Sequence, residues 1–439
     1  MAVIANEVFD NPYVDFNRDS DFNADPRIIG YFCLGPHLYA IADWLITEVE
    51  KHKYGNLNFM ARDGYLPMKA FKMLNMYRHI DVKTNYLMLT RQSILPLQIN
   101  SANDLFSLNY NINIFANSPK SIIKMFNYWI KSETINNIES ILAKEGIIFD
   151  KNFDNLESYY KFIKLFKDKI YDKEKMKEYK TVLGNCLEEY YDGKTADFDI
   201  GYSCRIESVL KKNFGFNVTS YFIHINNNIA IERAQSSNVE IKTFFNYSPG
   251  VTGTLRELLI SKMAPSCKML DIKNGKLIPV FKEYNNDYYE NFVIGIIQRY
   301  ALKYVNDVLM IFGGDMKYLH YQREDLSLVH EYLLTMSKYT DRQIFSTLKF
   351  EDDLGFGKTI KLLDFWNWQT NNVNYDLGAN KGTNLNWIHP LWKRAICMYF
   401  LDRDLLKKKV NSKLANKPFT LNILKKTYKS FRWIYRKLK

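Results

Sequence analysis

The sequence lacks the features that mark several large protein classes. Its five cysteines, at positions 33, 186, 204, 267 and 397, are odd in number and form no C-x-x-C pair. That usage fits a reducing compartment and argues against a disulfide framework or a structural zinc. No apolar run approaches the roughly 18 residues that a membrane span needs. The opening MAVIANEVFDNPYVDF has neither a basic leader nor an apolar stretch, so no secretory signal is expected. The G-x-G-x-x-G and G-x-x-x-x-G-K-[ST] fingerprints of nucleotide-binding loops are both missing. So are internal repeats and low-complexity segments.

An excess of one charge is also missing from most of the chain. The net charge is +12, but residues 403–439 hold 13 Lys or Arg against one acid, Asp404. The remaining residues carry 47 of each sign. The basic character belongs to the tail. Nothing in the neutral remainder matches a nucleic-acid-binding module, and no nucleic acid is expected as a partner.

What is present is enough apolar residue, 47% of the 439, to build a large core. Residues 1–26 read as an irregular lead-in. Residues 28–50 contain a buried helix beginning at Gly35-Pro36. Residues 57–61 and 86–90 read as short strands, and residues 67–74 as opening turns of a helix, with Leu66, Ala70 and Leu74 on one face. Residues 101–192 change character: Ser118-Pro119 is an N-cap and helix-opening proline, and helical spacing continues with few strands. Strands return at 196–200 and 218–225, with the helix RIESVLKKNF between them. Thr254 and Glu257 have capping-box spacing, and 291–312 is a long apolar helix ended by Gly313. Short strands alternating with helices predict an α/β fold with a mostly parallel sheet. The helical insertion interrupts it, and a basic amphipathic helix ends it. The expected divisions are 1–26, 27–100, 101–192, 193–402 and 403–439.

In parallel sheets ligands bind beyond the carboxyl ends of the strands. Three charged turns fall there. Arg62-Asp63-Gly64 follows the first strand, and Gly64 is expected to supply a positive φ and exposed amides. Arg91 follows the second. Asp197-Phe198-Asp199, with Gly201, Ser203 and Arg205, ends the third. Asp197 and Asp199 share a strand face and could hold a divalent cation, Mg²⁺ or Mn²⁺, or divide acid and base roles. Asp63 and Asp199 are the candidate catalytic pair. Arg62, Gly64, Arg91, Gly201, Ser203 and Arg205 are candidates for binding phosphate, since guanidinium forks match phosphate oxygens. The plain alternatives are a polar turn, a helix cap and surface ion pairs. His37, His224, His320 and His389 have no ligand spacing. Cys204 lacks a partner base and reads as a small buried residue. Glu351, Asp352 and Asp353 read as a solvated turn.

In the tail, Leu421, Leu424, Tyr428, Phe431, Tyr435 and Leu438 recur at spacings of three and four. Lys425, Lys426, Lys429, Arg432 and Arg436 take the other faces, with Trp433 beside them. Such a helix suits an anionic membrane surface, each basic residue adding about 1 kcal/mol. The alternative is a helix docked on the protein's own core. A cytoplasmic protein, peripheral on the inner face of the cell membrane, is the expectation.

Several segments together resemble a known bacterial family: GYFCLGPHLYAIADWL, NFMARDGYLPMKAF, YLMLTRQSILP, DFDIGYSCRIESVL and the TDRQIF to FEDDLGFG region. Its members are labelled predicted hydrolases of the haloacid dehalogenase superfamily, and occur with genes for capsule, O-antigen and other surface glycans, beside or fused to glycosyltransferases. The likeness runs from about residue 28 to about residue 363. Longer members carry an N-terminal D-x-D-x-T phosphatase motif; residues 1–27 contain none, and Gln92 stands where a second arginine often follows. The resemblance implies an enzyme of surface-polysaccharide synthesis acting on a phosphate-bearing sugar or lipid-linked glycan; the missing nucleophile motif and the membrane-suited tail point to glycosyl or phosphoryl transfer ahead of phosphoester hydrolysis. Glycosyltransferases are the candidate protein partners. Two other readings stay open: a non-catalytic assembly factor for glycosyltransferases, and a phosphoribosyltransferase-like activity suggested by the strand–RDG–helix turn.

Overall fold

The computed structural model describes residues 20–91, 93–99, 104–106, 117–126, 129–225, 227–245, 254–274, 276–281, 288–314, 322–351 and 359–361. All of them belong to the first of two units into which the chain divides, Met1–Asn367. The basic tail, His320, His389, Asp352 and Asp353 lie outside the described residues.

Helix α1 (Gly35–His52) leads into strand β1 (Asn56–Met60), helix α2 (Tyr65–Arg78) and strand β2 (Lys83–Leu87). Among the described residues, α3 (Pro119–Met125), α4 (Ile138–Lys144), α5 (Leu156–Leu165) and α6 (Lys173–Tyr191) follow. The chain then runs through β3 (Thr195–Tyr202), α7 (Arg205–Phe214), β4 (Val218–Ile225), α8 (Asn227–Ser237) and β5 (Glu240–Thr243). Beyond it come α9 (Thr254–Ile260), a hairpin of β6 (Cys267–Lys273) and β7 (Lys276–Phe281), α10 (Tyr288–Phe312) and α11 (Leu328–Met336).

Strands β1 to β5 form one sheet in the order β2-β1-β3-β4-β5, and every pairing in it is parallel. The expected α/β architecture is therefore present. The order reverses direction between β1 and β3, and at such a switch point a crevice opens beyond the strand ends.

Alternation along the strands explains the layers. Phe59 of β1 meets Phe71 of α2 and Phe198 of β3, with ring centroids 5.8 and 5.7 Å apart. Tyr221 of β4 meets Trp44 of α1 at 5.3 Å. The opposite face is polar in one row. Asn85, Asn58, Asp197 and Ser220 stand in register on four adjacent strands. Asn85 Nδ2 donates to Asn58 Oδ1, and Asn58 Nδ2 to Asp197 Oδ1, each at 2.9 Å. Tyr191 Oη of α6 donates to Asp197 Oδ2 at 3.0 Å. A one-residue slip would turn every one of these groups onto the wrong face, so the row fixes register as well as covering buried polar groups.

The described residues of 101–192 are largely helical, as the spacing predicts. Ser118 and Ser121 form a reciprocal capping box at α3. The insertion does not stand apart from the sheet. Trp129, Phe162, Phe166 and Leu183 belong to one apolar core with Met60, Leu87, Ile206 and Leu210.

Two elements differ from the sequence reading. Strand β2 lies three residues earlier than expected, because Thr90 and Ser93 satisfy each other's backbone and side-chain groups and close the strand off. Met88 and Leu89 are apolar but belong to that exit. Residues 20–24 of the lead-in are irregular yet anchored, since Asp341 accepts from the backbone N–H groups of Asp21, Phe22 and Ala24. No helix among the described residues is long and apolar enough to cross a membrane.

Candidate functional site

The site is built where β1, β2 and β3 end. Its first turn, after β1, carries Arg62, Asp63 and Gly64. Gly64 has φ −72°, not the positive value expected from sequence. Glycine is required there for a different reason: a Cβ would lie 2.7 Å from Phe59 Cβ and 2.8 Å from the Met60 carbonyl. The turn folds back that tightly, with Gly64 N–H donating to Met60 O at 2.7 Å. Pro67 then sits in the first turn of α2, where no intrahelical acceptor exists for a third N–H.

The turn is braced from the segment after α9. Ser261 Oγ donates to Asp63 Oδ1. Lys262 N–H donates to Arg62 O, and Arg62 Nη1 to Ala264 O, both at 3.1 Å. The N-cap of α2 is Gly64, and the charge of Asp63 acts on Asp199 of β3.

On β3, Asp197 and Asp199 share a face, as expected, but do different work. Asp197 is buried, and both its oxygens are taken by Asn58 and Tyr191. Burial pushes its pKa up to about 7 against the pull of those two donors. Asp199 lies one pleat closer to the crevice and is half-buried. Burial raises its pKa well above the carboxylate range, and the charges of Asp63 and Glu207 push it further; the Ile200 N–H and Arg91 pull the other way. Asp199 therefore lies within electrostatic reach of both other predicted turns.

Gly201 has φ +120°, and a Cβ there would lie 2.3 Å from the His224 carbonyl of β4. Here a glycine is obligatory on both counts. The chain then reaches Ser203, whose carbonyl accepts from Arg233 Nη1 of α8 at 3.1 Å. Cys204 is buried at φ +49°, and burial holds its thiol protonated, with a pKa raised to about 12. It is the small buried residue expected.

Three acidic or phenolic groups at the site were not legible as such. Glu257, assigned by spacing to a cap of α9, has its pKa raised to about 8 by burial and by Asp63 and Asp199, while Arg91 and Arg62 pull it down. It joins the cluster of Asp63, Asp199, Arg62 and Arg91. Glu207, in the first turn of α7, is 1% exposed, its Oε1 has no hydrogen-bond partner among the described residues, and burial and Asp197 push its pKa up to about 8. Tyr86 of β2 also carries a buried hydroxyl without such a partner; burial and the charge of Asp63 raise its pKa. Capping-box spacing absorbs Glu257 into structure at the level of sequence, and no local signal singles out Glu207.

The arginines divide. Arg62 and Arg91 serve the carboxyl cluster, Arg91 remaining exposed. Arg205 is half-buried, and its Nε has no partner among the described residues. Burial, then Arg233, then Arg91 lower its pKa to about 10. No described set of three or more His, Cys, Asp or Glu side chains is placed to hold a metal ion. Both carboxylate oxygens of the D-x-D residue Asp197 accept hydrogen bonds, from Asn58 and Tyr191.

A second buried polar network lies on another part of α9. Arg256, fully buried, pairs through both Nη atoms with Glu331 of α11. His330 stacks on His37 of α1 at 4.3 Å, and His37 Nδ1 pairs with Ser327 Oγ at 2.8 Å. Arg256 also lies over the Phe245 ring, 5.4 Å from its centroid. No family model matches the chain, and no curated protein matches it.

Proposed function

We propose that the chain is an enzyme of bacterial surface-polysaccharide synthesis that acts on a phosphate-bearing sugar at the β1/β3 switch point. One observation carries this reading. Asp63, Asp199 and Glu257 come from three separate segments; the charge of Asp63 acts on both others, that of Asp199 acts on Glu257, and Arg62 and Arg91 act beside them. Carboxyl groups that raise one another's pKa divide into a protonated acid and an ionised base near neutral pH. Asp199 or Glu257 in its protonated form gives a proton to a leaving oxygen, and an ionised neighbour accepts one from the attacking hydroxyl. Arg62 and Arg91 stabilise negative charge developing on the phosphate. The motif resemblance to the glycan-associated family supports the substrate class, and the reaction proposed is glycosyl or phosphoryl transfer.

The test is turnover by the full chain against nucleotide sugars, sugar phosphates and lipid-linked glycans, with and without Mg²⁺ or Mn²⁺. Asp63→Asn, Asp199→Asn and Glu257→Gln are each expected to lower turnover by 100-fold or more, on the order of 3 kcal/mol in the barrier, with melting temperature retained. Unchanged glycan synthesis with all three replaced in folded protein would point to the assembly-factor reading instead. The tail, residues 403–439, is proposed to hold the protein on anionic membrane. Flotation with anionic liposomes should lose the protein when those residues are removed; equal partition overturns the claim.

A further inference from the structure

We infer that Arg91, Arg205 and Arg233 form a dedicated subsite for a phosphate or diphosphate group, adjacent to the carboxyl cluster and distinct from it. This deepens the proposed function and rests on its reading of the pocket as taking a phosphate-bearing ligand. Arg233 carries no role from sequence, and the structure brings it in through α8.

The placement follows from the fold. Arg91 leaves the end of β2, Arg205 begins α7 after β3, and Arg233 lies on α8 after β4. Helix α7 packs on α8 and on the turn at Leu95–Gln98, which brings the three segments together. Arg233 is held in place by one Nη on the Ser203 carbonyl, two residues before Arg205. Ser203 thereby contributes its carbonyl, fixing the distance between two of the three cations.

Charge then argues for a ligand. Arg205 is half-buried, its Nε–H donates to no described group, and the charges that act on it, Arg233 and Arg91, are both positive. A desolvated guanidinium among like charges is unfavourable unless an anion joins it. Its fork geometry selects an oxyanion with two or more acceptor oxygens. The charges acting on Arg205 are positive, whereas Asp63, Asp199 and Glu257 are acidic, so an anion settles at the Arg205 end. The ligand therefore has two unlike parts: a phosphate or diphosphate against Arg205 and Arg233, and a hydroxyl-bearing part reaching Asp63, Asp199, Glu257 and the partnerless Tyr86 hydroxyl.

The test is calorimetric binding of inorganic phosphate and of pyrophosphate to the full chain at constant ionic strength. Wild type is expected to bind pyrophosphate more tightly than phosphate if the subsite takes a diphosphate, and the two comparably if it takes a single phosphate. Arg233→Gln and Arg205→Gln should each weaken binding at least 10-fold. Arg205→Lys keeps the charge and loses the fork, so it should fall between, and it covers the case in which Arg205→Gln fails to fold. Glu257→Gln should leave anion binding intact or strengthen it. Binding unchanged within 2-fold in folded Arg233→Gln and Arg205→Lys overturns the inference, as does absence of binding to wild type at 10 mM anion. Triad-dependent anion binding combined with turnover that survives loss of Asp63, Asp199 and Glu257 would keep the subsite and remove the proposed chemistry. The reverse pattern would keep the chemistry and remove the subsite.

Discussion

Arg256 and Glu257 are consecutive residues of one short helix and serve two separate charge networks. Arg256 is fully buried against Glu331, while Glu257 acts on Asp63 and Asp199 at the strand ends. Consecutive helical positions project about 100° apart, so α9 is a partition between an inert ion pair and the candidate site. Removing one partner of a buried pair strands the other charge, at a cost of about 3–5 kcal/mol. Arg256→Met and Glu331→Leu should each destabilise by that amount, and the double variant by much less. Urea unfolding of the four proteins gives the cycle. Additive losses would show that the two groups do not act as a pair.

The histidines set an acid limit. Burial holds His37 and His330 below the ordinary histidine range, and His224 is held at about 3, also by burial. For His37 the charges of His330 and Arg256 add to the effect, opposed by Glu331. Because the unfolded chain binds protons that the folded chain refuses, this stability is complete above about pH 6.5 and is lost as pH falls below it. His224, neutral down to about pH 3, should alone cost about 2 kcal/mol at pH 5. Chemical unfolding at pH 7.5 and pH 5 measures the loss, and His330→Asn should reduce it. A flat profile between those values would contradict the burial argument.

The acidic groups act in the opposite direction. Glu207 and Glu257 are raised to about 8 in the fold, so the unfolded chain ionises first as pH rises above about 4.5. Stability falls between that value and about 8. Glu207→Gln should therefore raise the melting temperature relative to wild type at pH 9, with little difference at pH 4.5. On the order of a few kcal/mol is at stake for a fully buried carboxyl. An identical difference at both pH values would mean that solvent reaches Glu207.

Glycine requirements separate by cause. Gly201→Ala meets both a positive φ and the His224 carbonyl, and Gly64→Ala meets the Met60 backbone. Both should lose folded protein or lose the site. Gly215 has φ +73° with open space around it, so Gly215→Ala should cost only about 1–2 kcal/mol. Thermal melts by circular dichroism rank the three; equal losses would show that backbone conformation alone, rather than close approach, sets the requirement.

The parallel sheet was readable because β1, β3 and β4 are short, apolar and bounded by turn residues, and because helices separate them. The turns bearing Asp63, Arg91 and Asp199 followed from the rule that parallel sheets bind at their carboxyl ends. Glu257 and Arg233 were not readable. Each sits on a helix among residues that explain it locally, and only the packing of α8 and α9 against the strand ends gives it a partner. The role of Asp197 was hidden for a related reason. Its place in a row with Asn58 and Asn85 depends on the register of strands more than a hundred residues apart, which local pattern does not contain. Strands β5 and β6 escaped because their apolar residues neither alternate cleanly nor form a run, and β7 because Pro279 interrupts its apolar run.

Strand β1 has its two neighbours at very different distances along the chain: β2 begins at Lys83, but β3 begins only at Thr195. During synthesis at about 5–20 residues per second, one edge of β1 waits on the order of ten seconds for its mate, with Asn58 unable to reach Asp197. Helices α3 to α6 emerge in that interval and can shelter Met60 and Leu87, with which they share a core. Nascent chains stalled before Thr195 should therefore engage chaperones that bind exposed strand edges, and release them once β3 has left the ribosome.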